Sequence, residues 1–234
     1  MEKKLKLVAH RGASLEYPCN SLASLVNGAR MGADWVECDM RRIAGGRFVI
    51  FHDESIEHDG AHRPVGELTW DELSRDCARD GVSLTSFEYL CENYREKTPI
   101  LLHIKENSAD LELIEAIDRA PFEHIWGVQS EAMLREAARR TDPDHILAFM
   151  PDRSLYPQFI AGGAGVIRLW EEWLDELPPE KVRAAGARQV FVMCNTPERG
   201  MDGTEASLDR IASLGADGAL LNDIRMALSW RARS

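Results

Sequence analysis

Short apolar runs alternate with amphipathic helical segments along the whole chain, and this alternation constrains the fold more than any other feature. The strand-like runs are Leu5 to His10, the stretch from Val36, Phe48 to Phe51, Ile100 to Leu102, Trp126 to Val128, His145 to Met150, Val166 to Leu169, Gln189 to Cys194 and Ala219 to Leu221. Between them, helical spacing covers Ser21 to Met31, Thr69 to Arg79, Ser86 to Tyr94, Ala109 to Arg119, Glu131 to Arg140, Tyr156 to Ala161, Pro178 to Ala185 and Thr204 to Leu214. A short helix closes the chain. Such alternation means βαβ units and a parallel sheet. If Phe48 to Phe51 is the antiparallel return arm of a hairpin, eight parallel strands remain. The expected fold is then α/β, a single (β/α)8 TIM barrel with a β-hairpin after the second strand. An open doubly wound sheet is the alternative, but no Gly-rich dinucleotide loop follows the first strand. No linker, repeat or low-complexity run divides the 234 residues, so one domain over 1–234 is expected. Its longest irregular piece, Glu54 to Leu68, is expected to form a lid or small insertion.

The formal charge of −11 argues against nucleic acid and anionic membranes as partners, and leaves room for a local basic pocket around a phosphate. No apolar run reaches roughly 18 residues, so no stable membrane insertion is expected. The N-terminal apolar run is too short for a secretion signal and flows into a strand. Five cysteines, scattered and without Cys-x-x-Cys spacing, suit reduced thiols. A cytoplasmic protein is expected, and a homo-oligomer is compatible with this composition.

The stretch Val36 to Asp53 carries the densest chemistry. Gly45-Gly46 suits a two-residue hairpin turn, since both positions accept positive φ. Closing the hairpin there pairs Ala44 with Arg47, Arg41 with Ile50 and Asp39 with His52. Residues two apart share a strand face, so Glu37, Asp39 and His52 converge. Two carboxylates and an imidazole on one face suit a metal and acid/base site; the bland alternative is a solvated hairpin face. Barrel active sites sit at the C-terminal ends of the strands. His10-Arg11 and His103/Lys105 stand at such ends too. The residue types suit phosphoryl chemistry. Glu37 and Asp39 offer hard oxygen ligands to a divalent cation. Arg11 offers a planar fork for phosphate oxygens and Lys105 a point charge. His10 and His52 exchange protons near neutral pH. No P-loop and no second acidic cluster for two metals is present, which disfavours nucleotide transfer.

These residues fall in motifs that resemble the glycerophosphodiester phosphodiesterase family. His10-Arg11-Gly12-Ala13-Ser14 followed by Pro18-Cys19-Asn20-Ser21 is similar to the family's His-Arg-Gly and Pro-Glu-Asn-Thr pattern. Gly32-Ala33-Asp34-Trp35-Val36-Glu37-Cys38-Asp39 is similar to its Gly-Ala-Asp-x-(Val/Ile)-Glu-x-Asp run, and Val49-Ile50-Phe51-His52-Asp53 to Val-Val-x-His-Asp. Ile100 to Lys105 sits at the place of Ile-Glu-Ile-Lys, Val128-Gln129-Ser130 at that of Gln-Ser-Phe, and Gly215 to Asp223 resembles the closing motif. The resemblance implies a barrel of the phospholipase C-like phosphodiesterase type and a small-molecule phosphodiester substrate. It implies hydrolysis of a glycerophosphodiester to an alcohol and glycerol 3-phosphate, within lipid and glycerol metabolism. It further implies one divalent metal ion, Mg²⁺ or Ca²⁺, held by Glu37, Asp39 and the residue at 103. His10 and His52 would be acid and base, and Arg11 and Lys105 would neutralise the phosphate.

The departures fall on functional positions. The family's third metal ligand is a Glu; the matching residue here is His103. An imidazole removes one negative charge and shifts preference toward Mn²⁺ or Zn²⁺. The Glu of Pro-Glu-Asn-Thr is Cys19, a soft ligand wherever it reaches the metal. The Arg-Thr-Thr signature after His52-Asp53 is absent. The Trp-Thr-Val-Asn strand reads Val192-Met193-Cys194-Asn195, which removes an aromatic wall from the pocket. The losses at Cys19 and His103 motivate an alternative, a non-hydrolytic phosphodiester-binding or scaffold barrel; a lyase releasing a cyclic phosphate is a third reading. Trp170 and Trp173 read as rim packing. Glu57, His58, Asp59 and His62 read as a solvated loop rather than a second ion site. Glu131 to Arg140 reads as an outer helix with a wet face.

Overall fold

The computed structural model describes residues 4–194 and 203–234; Met1 to Lys3 and Asn195, the last residue of the strand motif above, lie outside the described residues. In chain order the strands are β1 (Lys6–Ala9), β2 (Trp35–Arg42), β3 (Phe48–Ile50), β4 (Ser55–His58), β5 (Ala61–Pro64), β6 (Thr85–Ser86), β7 (Ile100–Ile104), β8 (His124–Val128), β9 (Ile146–Ala148), β10 (Val166–Trp170), β11 (Gln189–Met193) and β12 (Gly218–Leu221). The helices are α1 (Leu22–Met31), α2 (Trp70–Arg79), α3 (Phe87–Asn93), α4 (Leu111–Asp118), α5 (Glu131–Ala138), α6 (Tyr156–Ala161), α7 (Pro179–Ala184), α8 (Glu205–Ser213) and α9 (Ile224–Arg233).

Eight parallel strands close into the expected barrel. β1 pairs with β12 on one side and with β2 on the other, and β2, β7, β8, β9, β10, β11 and β12 follow in order round the ring. One edge of β2 serves two neighbours in turn. Trp35 and Val36 pair with β1, and Met40 to Arg42 pair antiparallel with β3. The other edge is taken by β7 from Val36 to Met40.

Two-residue alternation separates an inner from an outer core. Val8, Trp35, Leu101, Ile125, Leu147 and Leu220 pack inside the ring. Val36, Cys38, Met40, Leu102, Ile104 and Leu169 face the helices outside. This alternation decides where the polar residues go. Glu37 and Asp39 share the face of Trp35, His103 that of Leu101, His10 that of Val8, and Arg168 that of Val166. All point into the lumen.

Local chemistry explains the helix starts. Ser21 caps α1 by accepting from the Ser24 amide, and Thr69 with Glu72 forms a reciprocal capping box on α2. Helix α5 buries Met133, Leu134 and Ala137 and leaves its charges wet, as its spacing implies.

The hairpin differs from the sequence expectation. The register is Met40 to Ile50, Arg41 to Val49 and Arg42 to Phe48, one residue from the expected pairing. The loop holds three residues, Ala44–Gly46, because Ile43 donates to the Arg47 carbonyl at 3.0 Å, while the Ala44 amide donates to Leu68 O at 2.9 Å. A long-range partner therefore draws Ala44 out of the ladder. Asp39 accepts from the Phe51 amide at 2.9 Å instead of facing His52. His52 leaves the ladder and is held through its carbonyl, which accepts from Arg41 Nε at 2.9 Å.

The segment Glu54 to Leu68 is more ordered than its composition suggested. β4 and β5 form a hairpin across Asp59-Gly60, both at positive φ (50° and 80°). Asp-Gly is the residue pair such a turn favours, a signal the sequence carried. The insertion packs on α2 around Ile43, Val49, Phe51, Leu68 and Leu73. His58, expected in solvent, is 5% exposed, and its ring bonds Asp76 Oδ2 of α2 at 2.6 Å. Glu57, Asp59 and His62 remain exposed.

Candidate active site

The lumen at the C-terminal ends of β1, β2 and β7 gathers the charged residues. Glu37, Asp39 and His103 each place a potential ligand atom within 4.8 Å of the others, and all three are buried. His103 Nδ1 lies 3.1 Å from Asp39 Oδ1 and 3.7 Å from Glu37 Oε1. Glu37 Oε1 and His103 Nε2 are buried without a hydrogen-bond partner among the described residues. Buried polar atoms are normally satisfied, and the unpaired Glu37 Oε1, beside the Asp39 carboxylate and His103 Nδ1, is an atom that a cation held by these three would satisfy. The donor set of two carboxylates and an imidazole fits a divalent metal. Among the described residues Cys19 takes no part in the cluster: it is exposed and its thiol lies toward the Ser14 carbonyl.

Each first-row residue has a supporting partner. The strand β1 ends at Ala9, and the amide of the next residue, His10, donates to Leu221 O at 3.0 Å. Arg11 and Gly12 then take positive φ, 56° and 78°. At Gly12 a Cβ would stand 2.2 Å from Ser24 Oγ, so only glycine lets the chain pass α1. The turn aims the Arg11 amide at Glu37 Oε2, 2.9 Å away. Asn20, also at positive φ, grips Asp39 twice: its Nδ2 donates to Oδ2 at 2.9 Å and its Oδ1 accepts from the Asp39 amide at 3.1 Å. Lys105 Nζ lies 3.0 Å and Arg11 Nε 3.4 Å from the Asp39 carboxylate.

The two remaining histidines share a pattern. His10 Nδ1 bonds Asn222 Oδ1 at 2.8 Å, and His52 Nδ1 bonds Asp53 Oδ1 at 2.7 Å. An oxygen acceptor on Nδ1 places the proton there and leaves Nε2 as the exchanging atom. His10 Nε2 faces Glu37 Oε2 at 3.9 Å. Asn20 and Asn222 received no role from the sequence, although both stand in quoted motifs. Arg168 was missed altogether. Its signal was a charged residue inside the apolar run Val166 to Leu169, on the inward parity of the strand. It is 4% exposed, with Phe149, Trp170 and Trp173 round its guanidinium at 5.3, 4.3 and 5.7 Å from the ring centroids. Trp170 therefore belongs partly to the lumen rather than to the rim alone.

Burial governs the protonation of the site. Desolvation, with Arg11 second, lowers His10 to about 3. Desolvation and Lys105 lower His103 to about 4. Desolvation and the neighbouring Asp39 raise Glu37 to about 8. Asp39 is also desolvated, but Lys105 and His103 outweigh this and hold it well below the usual carboxylate range. Desolvation lowers His52 as well.

These shifts predict a stability profile for the chelated protein. The depressed histidines contribute their full stability above their unfolded value and lose it as pH falls toward about 3 to 4. Glu37, raised, contributes fully below its unfolded value and loses stability as pH rises to about 8. Two groups oppose acid and one opposes alkali, so thermal stability should peak near the ordinary histidine value of 6.5 and fall from there toward about 8. Melting curves from pH 4 to 9 check this; a divalent cation should flatten the alkaline limb. A flat alkaline limb without metal would refute the raised Glu37.

The model of the glycerophosphoryl diester phosphodiesterase family matches residues 10–145. A glycerophosphodiester phosphodiesterase of Bacillus altitudinis is 26% identical over 108 residues, covering 43% of this chain and 44% of that relative. The curated relatives are thus matched over about half of their length or less. Among solved structures, the glycerophosphodiester phosphodiesterase of Thermotoga maritima superposes with a TM-score of 0.73 at 20% identity, covering 96% of this chain and 97% of that one. A phosphodiesterase of Oleispira antarctica, solved with the product sn-glycerol-3-phosphate, superposes with a TM-score of 0.71 at 16% identity, covering 99% and 98%. At these identities the likeness is one of fold.

Proposed function

The chain belongs to the glycerophosphoryl diester phosphodiesterase family, and we propose that it hydrolyses glycerophosphodiesters to an alcohol and glycerol 3-phosphate. The observation that carries this reading is the buried trio Glu37, Asp39 and His103 with the cations Arg11 and Lys105 resting against Asp39. In this reading Glu37, Asp39 and His103 hold one divalent metal ion. When bound, the ion supplies Lewis-acid neutralisation of the phosphodiester charge.

The residues of the chain do the rest. Arg11 and Lys105 swing from Asp39 to the phosphate oxygens and orient them. One imidazole of the pair His10 and His52 takes the proton of the glycerol hydroxyl next to the phosphate as its oxygen bonds to phosphorus. The other gives a proton to the departing alcohol oxygen. The cyclic phosphate so formed is opened by water with the two roles exchanged, which yields glycerol 3-phosphate. Burial keeps His10 neutral and ready to accept.

The alternative of a binding barrel without hydrolysis is motivated by the losses at Cys19 and His103, and a His103 turned away from the carboxylates would favour it. The ring instead faces them at 3.1 and 3.7 Å, which favours the enzyme. The test is a metal panel. Chelated protein receives Mg²⁺, Ca²⁺, Mn²⁺ or Zn²⁺ with glycerophosphocholine or glycerophosphoethanolamine, and products are followed by phosphorus NMR. Glycerol 3-phosphate is expected with at least one metal. Accumulating cyclic phosphate would mark a lyase, and no turnover in a folded sample would overturn the reading. His103→Glu should raise the ratio of Mg²⁺- to Mn²⁺-supported activity by roughly tenfold, the scale on which changes round a metal act. An unchanged ratio would remove His103 from the ligand set.

A further inference from the structure

We propose that Phe149 and Gly127 are positioning residues that hold the His103 imidazole with Nδ1 toward Glu37 and Asp39. The inference rests on the reading of His103 as a metal ligand and adds what makes an imidazole usable there.

His103 on β7 is the register partner of Gly127 on β8, and Gly127 of Leu147 on β9. Phe149 lies two residues beyond Leu147 and shares its inward face. Its ring crosses the place where Gly127 has no side chain. A Cβ at Gly127 would stand 2.8 Å from Phe149 Cε2, 2.8 Å from Leu102 O and 3.0 Å from His103 Cα. A glycine inside a strand often marks such a close approach. Through this gap Phe149 stacks on His103 with ring centroids 3.7 Å apart and planes 9° from parallel. Both side chains are nearly sealed from water, Phe149 at 5% and His103 at 9% exposure. The Arg168 guanidinium also lies against the Phe149 ring, with Trp170 beyond it.

The chemistry says why a ring partner is needed. The torsion that turns an imidazole about its last bond is broad and roughly two-fold, so an unsupported ring turns Nδ1 away from the carboxylates and puts the carbon Cδ2 in its place at little cost. Only one nitrogen faces the carboxylate pair. A stacked wall restricts that rotation and holds the ring in the plane that keeps Nδ1 toward them. A glutamate at the same position presents two equivalent oxygens and has no such requirement. Phe149 and Gly127 therefore serve a requirement that histidine at 103 has and glutamate lacks.

The test uses Mn²⁺ alone, titrated calorimetrically into the chelated protein without substrate. Phe149→Leu and Phe149→Met keep apolar volume and remove the ring. Each should weaken Mn²⁺ binding by roughly tenfold. In a His103→Glu background the same replacements should change Mn²⁺ binding less than about twofold, which a merely structural role would not produce. NMR of the unaltered protein with labelled histidine should show the His103 ring protons shifted upfield by the Phe149 ring current, and this arm needs no variant to fold. Equal losses in both backgrounds, or no upfield shift, would overturn the proposal. If His103→Ala leaves Mn²⁺ affinity unchanged, the ligand reading itself fails; if His103→Ala weakens it and the Phe149 variants do not, only the positioning role fails.

Discussion

Asp39→Ala is expected to abolish metal binding and to lower the melting temperature by roughly 10 °C or more, the largest effect of any single change in the lumen. Asp39 is fully buried, and four side chains depend on it: Asn20, His103, Lys105 and Arg11. Its removal strands the Lys105 ammonium and the Arg11 guanidinium beside an apolar methyl. Breaking a buried charge pair by deleting one partner costs about 3–5 kcal/mol. In a domain of this length each kcal/mol moves the melting point by roughly 2–4 °C. Asp39→Asn should fall between, since it retains one amide contact with Asn20 and loses both cations. Thermal melting with and without Mn²⁺ measures both effects. A melting temperature within a degree or two of the parent would mean that Lys105 and Arg11 do not depend on this carboxylate.

His52→Ala is expected to do the reverse: to remove turnover while leaving the fold intact. The side chain is 41% exposed and its one strong partner is the adjacent Asp53. Deleting it creates no cavity and leaves no buried group unpaired, so the melting point should hold within about 2 °C. A general acid or base contributes about 10²- to 10⁴-fold, and kcat should drop by that amount. Steady-state kinetics on the best substrate of the metal panel decides the matter. Retained turnover would take the acid/base role from His52 and leave His10 with an unknown partner.

The hairpin shows how far local sequence reaches. Gly45 and Gly46 marked a turn correctly, and both adopt positive φ. The register nevertheless moved by one residue, because the carbonyl that captures the Ala44 amide belongs to Leu68. No short-range rule contains that partner. In the same way, Asp59-Gly60 announced the insertion hairpin, while the burial of His58 depended on Asp76 one helix later.

The sequence by itself determined the barrel and the rim on which its chemistry gathers. Eight inward/outward alternations, read two residues at a time, place His10, Glu37, Asp39 and His103 inside the ring, because strand parity is a local property and the C-terminal ends of parallel strands share one rim. The tertiary structure alone decided how those residues are oriented. Asn20 on Asp39, Asn222 on His10 and Phe149 on His103 come from other segments, and each contact depends on the angle at which strands and loops meet. Distances of 3 to 4 Å between side chains from different strands follow from ring closure and register, and these are set by the whole chain at once.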